Sequence, residues 1–201
     1  MQAAVSHLQA AKVAIIPTDT VYGIGALASD AHAVAQVLAA KGRGRQMPPP
    51  VLVSDISQLD GVVANIPTPA RALMEAYWPG ALTLILPAHP DLSWDLGETG
   101  GTVAERQPDY PLTLQLLSQT GPLAVTSANL AGQPPATDAT QARTYFGPQI
   151  DSGEIYLLDD GATPGPVPST IVSFAAPQPK VLRVGVLSVA QIEAVIGKVN
   201  G

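Results

Sequence analysis

Short apolar runs alternate along this chain with longer segments in which apolar residues recur every three or four positions. The run at 12–16 is rich in β-branched residues and stops at Pro17, a pattern typical of a buried strand. In the segment 31–41, Val34 and Leu38 share one face behind the capping residue Asp30, which predicts a helix. The same criteria predict strands at 12–16, 51–53, 81–86, 102–106, 122–125, 154–158, 169–174 and 180–183, and helices at 2–11, 31–41, 69–78, 109–119, 139–146 and 188–196.

The order of these elements predicts an α/β fold with a mixed, twisted sheet. Strands and helices keep alternating, and the residues that follow Pro17 are predicted to form a loop. The proline-rich stretches at 133–135 and 163–168 are too short to link two domains. Because 46% of the residues are hydrophobic, one sizeable core is expected, and we predict a single domain over 1–201.

Charge and composition exclude several classes of protein. Ten basic residues against sixteen acidic ones give a net charge of -6, so the molecule as a whole repels nucleic acid and anionic membranes, and any bound anion needs a local cationic cluster. The absence of cysteine excludes disulfides and thiolate zinc sites, and the three histidines are scattered, so we predict no protein-built metal site. No signal-peptide pattern and no window of about 18 apolar residues occur, so we expect a soluble cytoplasmic protein without a membrane partner.

The densest basic cluster is the stretch Lys41-Gly-Arg-Gly-Arg45, which holds three of the ten basic residues. Its glycines let backbone amides approach a ligand, and a loop can converge charges that a helix would fan around its axis. The stretch therefore predicts a phosphate or carboxylate site. Serine, threonine, asparagine and arginine also follow or end several strands, and although each is more often structural when considered alone, together they favour a polar cavity for a small anion.

One motif match is misleading. The stretch Gly23-Ile-Gly-Ala-Leu-Ala28, followed by Asp55, formally matches the dinucleotide fingerprint. The fingerprint needs its first glycine directly after a strand, whereas here 17–22 intervene, so we predict no nicotinamide cofactor. P-loop and Gly-x-Ser-x-Gly motifs are missing, and a Ser-His-Asp triad has no support in the sequence.

Six fragments occur in a characteristic order: Pro17-Thr-Asp-Thr-Val-Tyr-Gly-Ile-Gly25, Lys41-Gly-Arg43, Trp78-Pro-Gly-Ala-Leu-Thr83, Thr126-Ser-Ala-Asn-Leu-Ala-Gly132, Ser169-Thr-Ile-Val172 and Leu182-Arg-Val-Gly185. Together they resemble the YrdC-like threonylcarbamoyl-AMP synthase family from about residue 10 to the end of the chain, in its short, single-domain form. The resemblance implies a twisted mixed sheet curled around a deep cationic cavity. It also implies the reaction of L-threonine, bicarbonate and ATP to threonylcarbamoyl-adenylate and pyrophosphate, the first step toward threonylcarbamoyladenosine in tRNA.

The resemblance also implies roles for individual residues. The implied threonine contacts are Thr20, Arg106, Ser127 and Ser169. The implied ATP contacts are Lys41, Arg43, Thr102, Asn129, Thr137 and Arg183. Lys41 and Arg43 would also serve catalysis by neutralising the phosphates, with Mg²⁺ carried by the triphosphate. The implied partners are a downstream tRNA-modifying transferase and, as a further possibility, tRNA itself.

The sequence departs from the family pattern at two positions of this site. Met47 stands where the family commonly has asparagine, and Leu52 where it has histidine. The additional cation Arg45 is predicted to compensate by reaching the phosphates, whereas Glu105, at a usually apolar position, is expected to be tolerated. Two alternatives stay open: a module of the same fold that binds tRNA or double-stranded RNA without chemistry, and a family member that has lost its activity.

Overall fold

Six α-helices and nine strands form in residues 1–200, which are the part of the chain that the computed structural model describes. The helices are α1 (Gln2–Gln9), α2 (Ala31–Ala40), α3 (Thr68–Tyr77), α4 (Pro111–Thr120), α5 (Ala139–Asp151) and α6 (Val189–Ile196). The strands are β1 (Val13–Ile16), β2 (Gly23–Leu27), β3 (Val51–Leu52), β4 (Leu82–Pro87), β5 (Thr102–Arg106), β6 (Leu123–Ser127), β7 (Ile155–Leu157), β8 (Thr170–Ser173) and β9 (Lys180–Arg183). All of the predicted helices and strands are found, and none of the helices described could cross a bilayer.

All nine strands belong to one sheet, in the order β7-β1-β2-β6-β3-β5-β4-β8-β9. The pairs β1/β7, β3/β5 and β4/β8 are parallel, and the remaining pairs are antiparallel. The structure therefore confirms the predicted α/β fold with a mixed sheet. Strands that are far apart in sequence are neighbours in this sheet. The segments that precede or follow them therefore meet at the strand ends.

The loop predicted after Pro17 ends at Tyr22, and it is followed by strand β2, which was not predicted. This strand pairs with β1 on one side and with β6 on the other, so Gly23 and Gly25 lie inside the sheet. A Cβ atom on Gly23 would lie 2.5 Å from Val125 Cγ1, and one on Gly25 would lie 2.7 Å from the carbonyl oxygen of Ala124. These glycines thus allow close packing against β6. Gly23 and Gly25 therefore lie within a strand and not in a turn between a strand and a helix.

Helices cover the sheet on both faces. Successive side chains of a strand point to opposite faces. In β1, Ile15 packs into an apolar cluster with α2 and α5, whereas Ile16 packs into another with α1 and α4. A third cluster, around Leu73 and Trp78, joins α3 and α6 to the other half of the sheet. This scaffold fixes the strand ends that carry the polar residues.

Candidate active site

A cavity of about 440 Å³ opens where several strands end on one side of the sheet. Three arginines line it, Arg43, Arg106 and Arg183, and no aspartate or glutamate of residues 1–200 is part of its wall. Its lining serine and threonine residues are Thr18, Thr20, Thr83, Thr99, Thr102, Thr126, Ser127 and Ser169. In a chain with a net charge of -6, this wall is a local cationic site for an anion.

Arg106, the last residue of β5, is the most enclosed of the three arginines. Its Nε donates to the Gly80 carbonyl oxygen at 3.0 Å, Nη1 donates to Thr20 Oγ1 at 3.2 Å, and Nη2 contacts Asp19 Oδ1 at 2.5 Å. Burial lowers the pKa of Arg106, and the neighbouring carboxylate of Asp19 opposes that change. A guanidinium stays protonated in proteins, so Arg106 is a fixed, oriented cation on the cavity wall.

The turn after β1 presents Thr20 to Arg106. Thr18 Oγ1 donates to the Val21 carbonyl oxygen at 2.6 Å and lies 3.0 Å from Thr20 Oγ1. Both threonines line the cavity, as the predicted role of Thr20 requires. The predicted loop after Pro17 therefore contains a hydrogen-bonded turn that leads into β2.

Arg183, at the end of β9, is held against the start of β8. Its Nε and Nη2 donate to the Ser169 carbonyl oxygen at 3.0 and 2.9 Å, and Nη2 also reaches Ser169 Oγ at 3.1 Å. Ser169 Oγ lies 2.8 Å from Thr83 Oγ1, which is buried beside it. Thr83 was not assigned to the site from sequence, although it stands in the Trp78-Pro-Gly-Ala-Leu-Thr83 fragment, which was the available signal.

Lys41 occupies a different place from the one expected of a phosphate ligand. It is 1% exposed, and its Nζ donates to the Ser127 carbonyl oxygen and, at 3.0 Å, to Asn129 Oδ1. Burial, reinforced by the charge of Arg43, lowers the pKa of Lys41 to about 7. Lys41 and Asn129 lie behind Ser127, which itself lines the cavity and donates to Asn129 Oδ1 at 2.6 Å.

The other predicted ATP contacts separate into two groups. Arg43 lines the cavity and donates from Nη1 to Thr126 Oγ1 at 3.0 Å, and burial lowers its pKa. Thr102 also lines the cavity. Thr137 is outside the cavity wall, where its Oγ1 donates to Gln141 Oε1 at 3.2 Å. The structure thus places the following predicted residues on one wall: Thr20, Arg43, Thr102, Arg106, Ser127, Ser169 and Arg183.

Arg45 corrects the prediction that it compensates for Met47. Its guanidinium forms two hydrogen bonds with Asp95, at 2.6 and 3.0 Å, and Arg45 is not among the residues that line the cavity. Its carbonyl oxygen accepts a hydrogen bond from the Glu98 amide at 2.8 Å. Arg45 therefore connects the cationic stretch to the loop that contains Asp95 and Glu98. Met47 and Leu52 do line the cavity, so both departures from the family pattern lie on its wall.

Comparisons with known proteins agree with this geometry. The sequence profile of the Sua5/YciO/YrdC family, whose description reads telomere recombination, matches residues 6–185. A Bacillus subtilis protein named threonylcarbamoyl-AMP synthase is 42% identical over 199 residues, which are 98% of this chain and 56% of that protein. A Mycobacterium tuberculosis protein provisionally given the same name is 46% identical over 194 residues, 96% of this chain and 88% of that protein.

Solved structures extend the comparison to three dimensions. The crystal structure of Pyrococcus abyssi Sua5 complexed with L-threonine superposes with a TM-score of 0.92 at 34% identity, over 99% of this chain and 58% of that one. Escherichia coli YciO shares the fold, with a TM-score of 0.82 at 24% identity over 94% of this chain and 91% of that chain. By sequence and by structure, this chain belongs to the Sua5/YciO/YrdC family.

Proposed function

We propose that this protein forms threonylcarbamoyl-adenylate and pyrophosphate from L-threonine, bicarbonate and ATP. The observation that carries the proposal is the cavity wall, where Arg43, Arg106 and Arg183 converge without a lining carboxylate among residues 1–200. Such a wall suits a ligand with several negative charges and many hydrogen-bond acceptors. The names of the curated relatives, and the L-threonine in the complex of the P. abyssi protein, support this choice among polyanionic ligands.

The proposed chemistry needs no covalent nucleophile. Bicarbonate takes up a proton and loses water to give carbon dioxide. The neutral α-amine nitrogen of threonine bonds to the carbon of this carbon dioxide and releases a proton, which balances the proton taken up by bicarbonate, and the product is a carbamate. A carbamate oxygen then bonds to the α-phosphorus of ATP while the bond from that phosphorus to the pyrophosphate oxygen breaks. Both steps depend mainly on positioning and on stabilising negative charge, which are the tasks that fixed donors perform.

We assign these tasks to residues of the cavity. Arg106 holds the threonine carboxylate, with Thr20 beside it. Arg43 and Arg183 stabilise the charge of the phosphates, because Arg43 Nη2 and Arg183 Nη1 have no acceptor among residues 1–200. Lys41 supports the site from behind by holding the segment from Ser127 to Asn129 in place. This differs from the direct phosphate contact implied by the sequence.

Mg²⁺ would accompany ATP and neutralise part of its charge. Among residues 1–200 no group of three or more His, Cys, Asp or Glu side chains could hold a metal ion. The ion would therefore be bound by phosphate oxygens and water. We also propose that the product passes to a tRNA-modifying transferase and that the protein acts in the cytoplasm.

The deciding experiment measures pyrophosphate release from labelled ATP in the presence of Mg²⁺. Release should require threonine and bicarbonate together, and Arg43→Ala should abolish most of it. Arg143→Ala is the matched control, because Arg143 lies on the surface of α5 and, among residues 1–200, forms a salt bridge only with Asp151. Release that does not depend on threonine would reject the proposal. The absence of turnover, combined with RNA binding that weakens steeply with salt, would instead favour the RNA-binding alternative.

A further inference from the structure

Asp19 and Arg106 form a salt bridge, and both side chains keep hydrogen-bonding groups that no other group within residues 1–200 uses. A guanidinium carries five N–H donors in a rigid plane. In Arg106, single donors reach Gly80, Thr20 and Asp19, so one N–H on Nη1 and one on Nη2 have no acceptor among residues 1–200. Two such donors on the terminal nitrogens match the two oxygens of a carboxylate.

Asp19 also has a hydrogen-bond acceptor that is unused within residues 1–200. Its Oδ1 contacts Arg106 Nη2, and its Oδ2 has no hydrogen-bond partner among residues 1–200. The side chain of Asp19 retains 13% of its accessible surface, and its two chain neighbours, Thr18 and Thr20, both line the cavity. Asp19 itself is not among the lining residues, but its carboxylate contacts Arg106, which does line the cavity, so a ligand bound to Arg106 would come close to it.

The charges of the two side chains sum to zero, which limits the ligand that they can bind together. A carboxylate bound to Arg106 would bring a second negative charge close to Asp19, and an excess charge is costly where little water is present. A ligand that carries a positive group next to its carboxylate avoids this cost. An α-amino acid has its ammonium and carboxylate on a single carbon, and Arg106 Nη2 and Asp19 Oδ1 are 2.5 Å apart.

We propose that Asp19 receives the α-ammonium of the substrate while Arg106 receives its carboxylate, so that Asp19 makes the site selective for α-amino acids over other carboxylic acids. The inference rests on the proposed function and deepens it, because it names the group that recognises the amine. The competing explanation is that Asp19 only holds Arg106 in place. In that case its loss would weaken every carboxylate that binds to Arg106.

The test compares two ligands by calorimetric titration in the absence of ATP. The first is L-threonine, and the second is 2,3-dihydroxybutanoate, in which a hydroxyl group replaces the ammonium. Asp19→Asn keeps an acceptor for Arg106 and removes the charge. It should weaken threonine binding at least about tenfold and leave the affinity for the hydroxy acid unchanged or higher. Asp60→Asn, an exposed position outside the cavity wall, should change neither affinity.

Further measurements make the result decisive. Arg106→Lys should weaken both ligands, because both carry the carboxylate. Equal weakening of the two ligands by Asp19→Asn, or no weakening of either, would overturn the inference. If Asp19→Asn fails to fold, the wild type alone decides: it should bind threonine at least about tenfold more tightly than the hydroxy acid, and equal affinities would overturn the inference. Pyrophosphate release by the wild type is scored separately, so a failure of the proposed reaction cannot be mistaken for a failure of the role of Asp19.

Discussion

Replacing Glu105 should stabilise the fold, and more strongly at neutral than at acidic pH. Glu105 lies on β5 next to Arg106 but is fully buried, and neither of its carboxyl oxygens has a hydrogen-bond partner among residues 1–200. Its neighbours in the sheet are Val51 and Leu84, which belong to the apolar core. Burial raises the pKa of Glu105 well above its ordinary value of 4.5, so the folded protein keeps a proton on this side chain to a higher pH than the unfolded chain does.

The direction of the pH dependence follows from this proton. Above the unfolded-state pKa the unfolded chain releases the proton while the folded chain keeps it, so stability falls as pH rises toward the folded-state pKa. The slope is about 1.4 kcal/mol for each pH unit in the range between the unfolded-state and folded-state pKa values of Glu105. Other carboxylates also contribute to the pH dependence of the free energy of unfolding. The contribution of Glu105 is therefore measured as a difference between the wild type and a variant that lacks it.

Urea unfolding of the wild type and Glu105→Gln at pH 5, 6, 7 and 8 measures this difference. Glutamine keeps the shape and cannot ionise, so its stability relative to the wild type should rise with pH at the slope given above. Glu105→Met also removes the buried polar atoms and should be the more stable variant throughout. The exposed Glu75→Gln serves as the control. A difference between wild type and Glu105→Gln that stays flat from pH 5 to pH 8 would refute the reasoning.

Three further predictions concern the cationic stretch. Arg43→Ala should lower kcat/KM for ATP about a hundredfold or more in steady-state kinetics, because a preorganised donor to the phosphates is lost, and it should leave threonine binding in place. Arg45→Ala should leave the KM for ATP within about twofold of wild type, since Arg45 pairs with Asp95 outside the cavity and an exposed pair of this kind contributes little to stability. A larger rise in KM would show that Arg45 contacts the phosphates after all. Relative to Lys41→Met, the wild type should gain stability in urea as pH rises above 7. The folded-state pKa of Lys41 is about 7 against an ordinary 10.5, so the unfolded chain binds the extra proton in that range. A constant difference would contradict the lowered pKa.

The elements that could be predicted from sequence are those with a local signal. The caps show this: Asp30 accepts from the Ala33 amide at 2.8 Å at the start of α2, and Ser188 forms a capping box at the start of α6. Strand β2 has no such signal, because Gly23 and Gly25 have low strand propensity. Pairing with β6, about a hundred residues later in the chain, makes this segment a strand. Contacts of that kind are invisible to a local pattern.

The same limit applies to the site. The residue types of the fragments were sufficient to predict a cavity with arginines and hydroxyl groups. They could not show that the side chain of Lys41 is buried, because its partners Ser127 and Asn129 are 86 and 88 residues away in sequence. Nor could they show that Arg45 pairs with Asp95, 50 residues away. The direction of a long cationic side chain is decided by which acceptors the fold brings near it.

Glu105 and Arg106 are adjacent in β5, and comparing them shows how the fold decides the charge of the site. The charge of Arg106 is compensated by Asp19, whereas Glu105 has no such partner among residues 1–200 and burial favours its neutral form. The pair with Asp19 then leaves the Arg106 corner neutral, while Arg43 and Arg183 form no salt bridge with any carboxylate of residues 1–200. A neutral corner suits a zwitterion, and two uncompensated cations suit phosphates. This distribution of charge supports the proposal that the amino acid binds at the Arg106 corner and that Arg43 and Arg183 bind the phosphates.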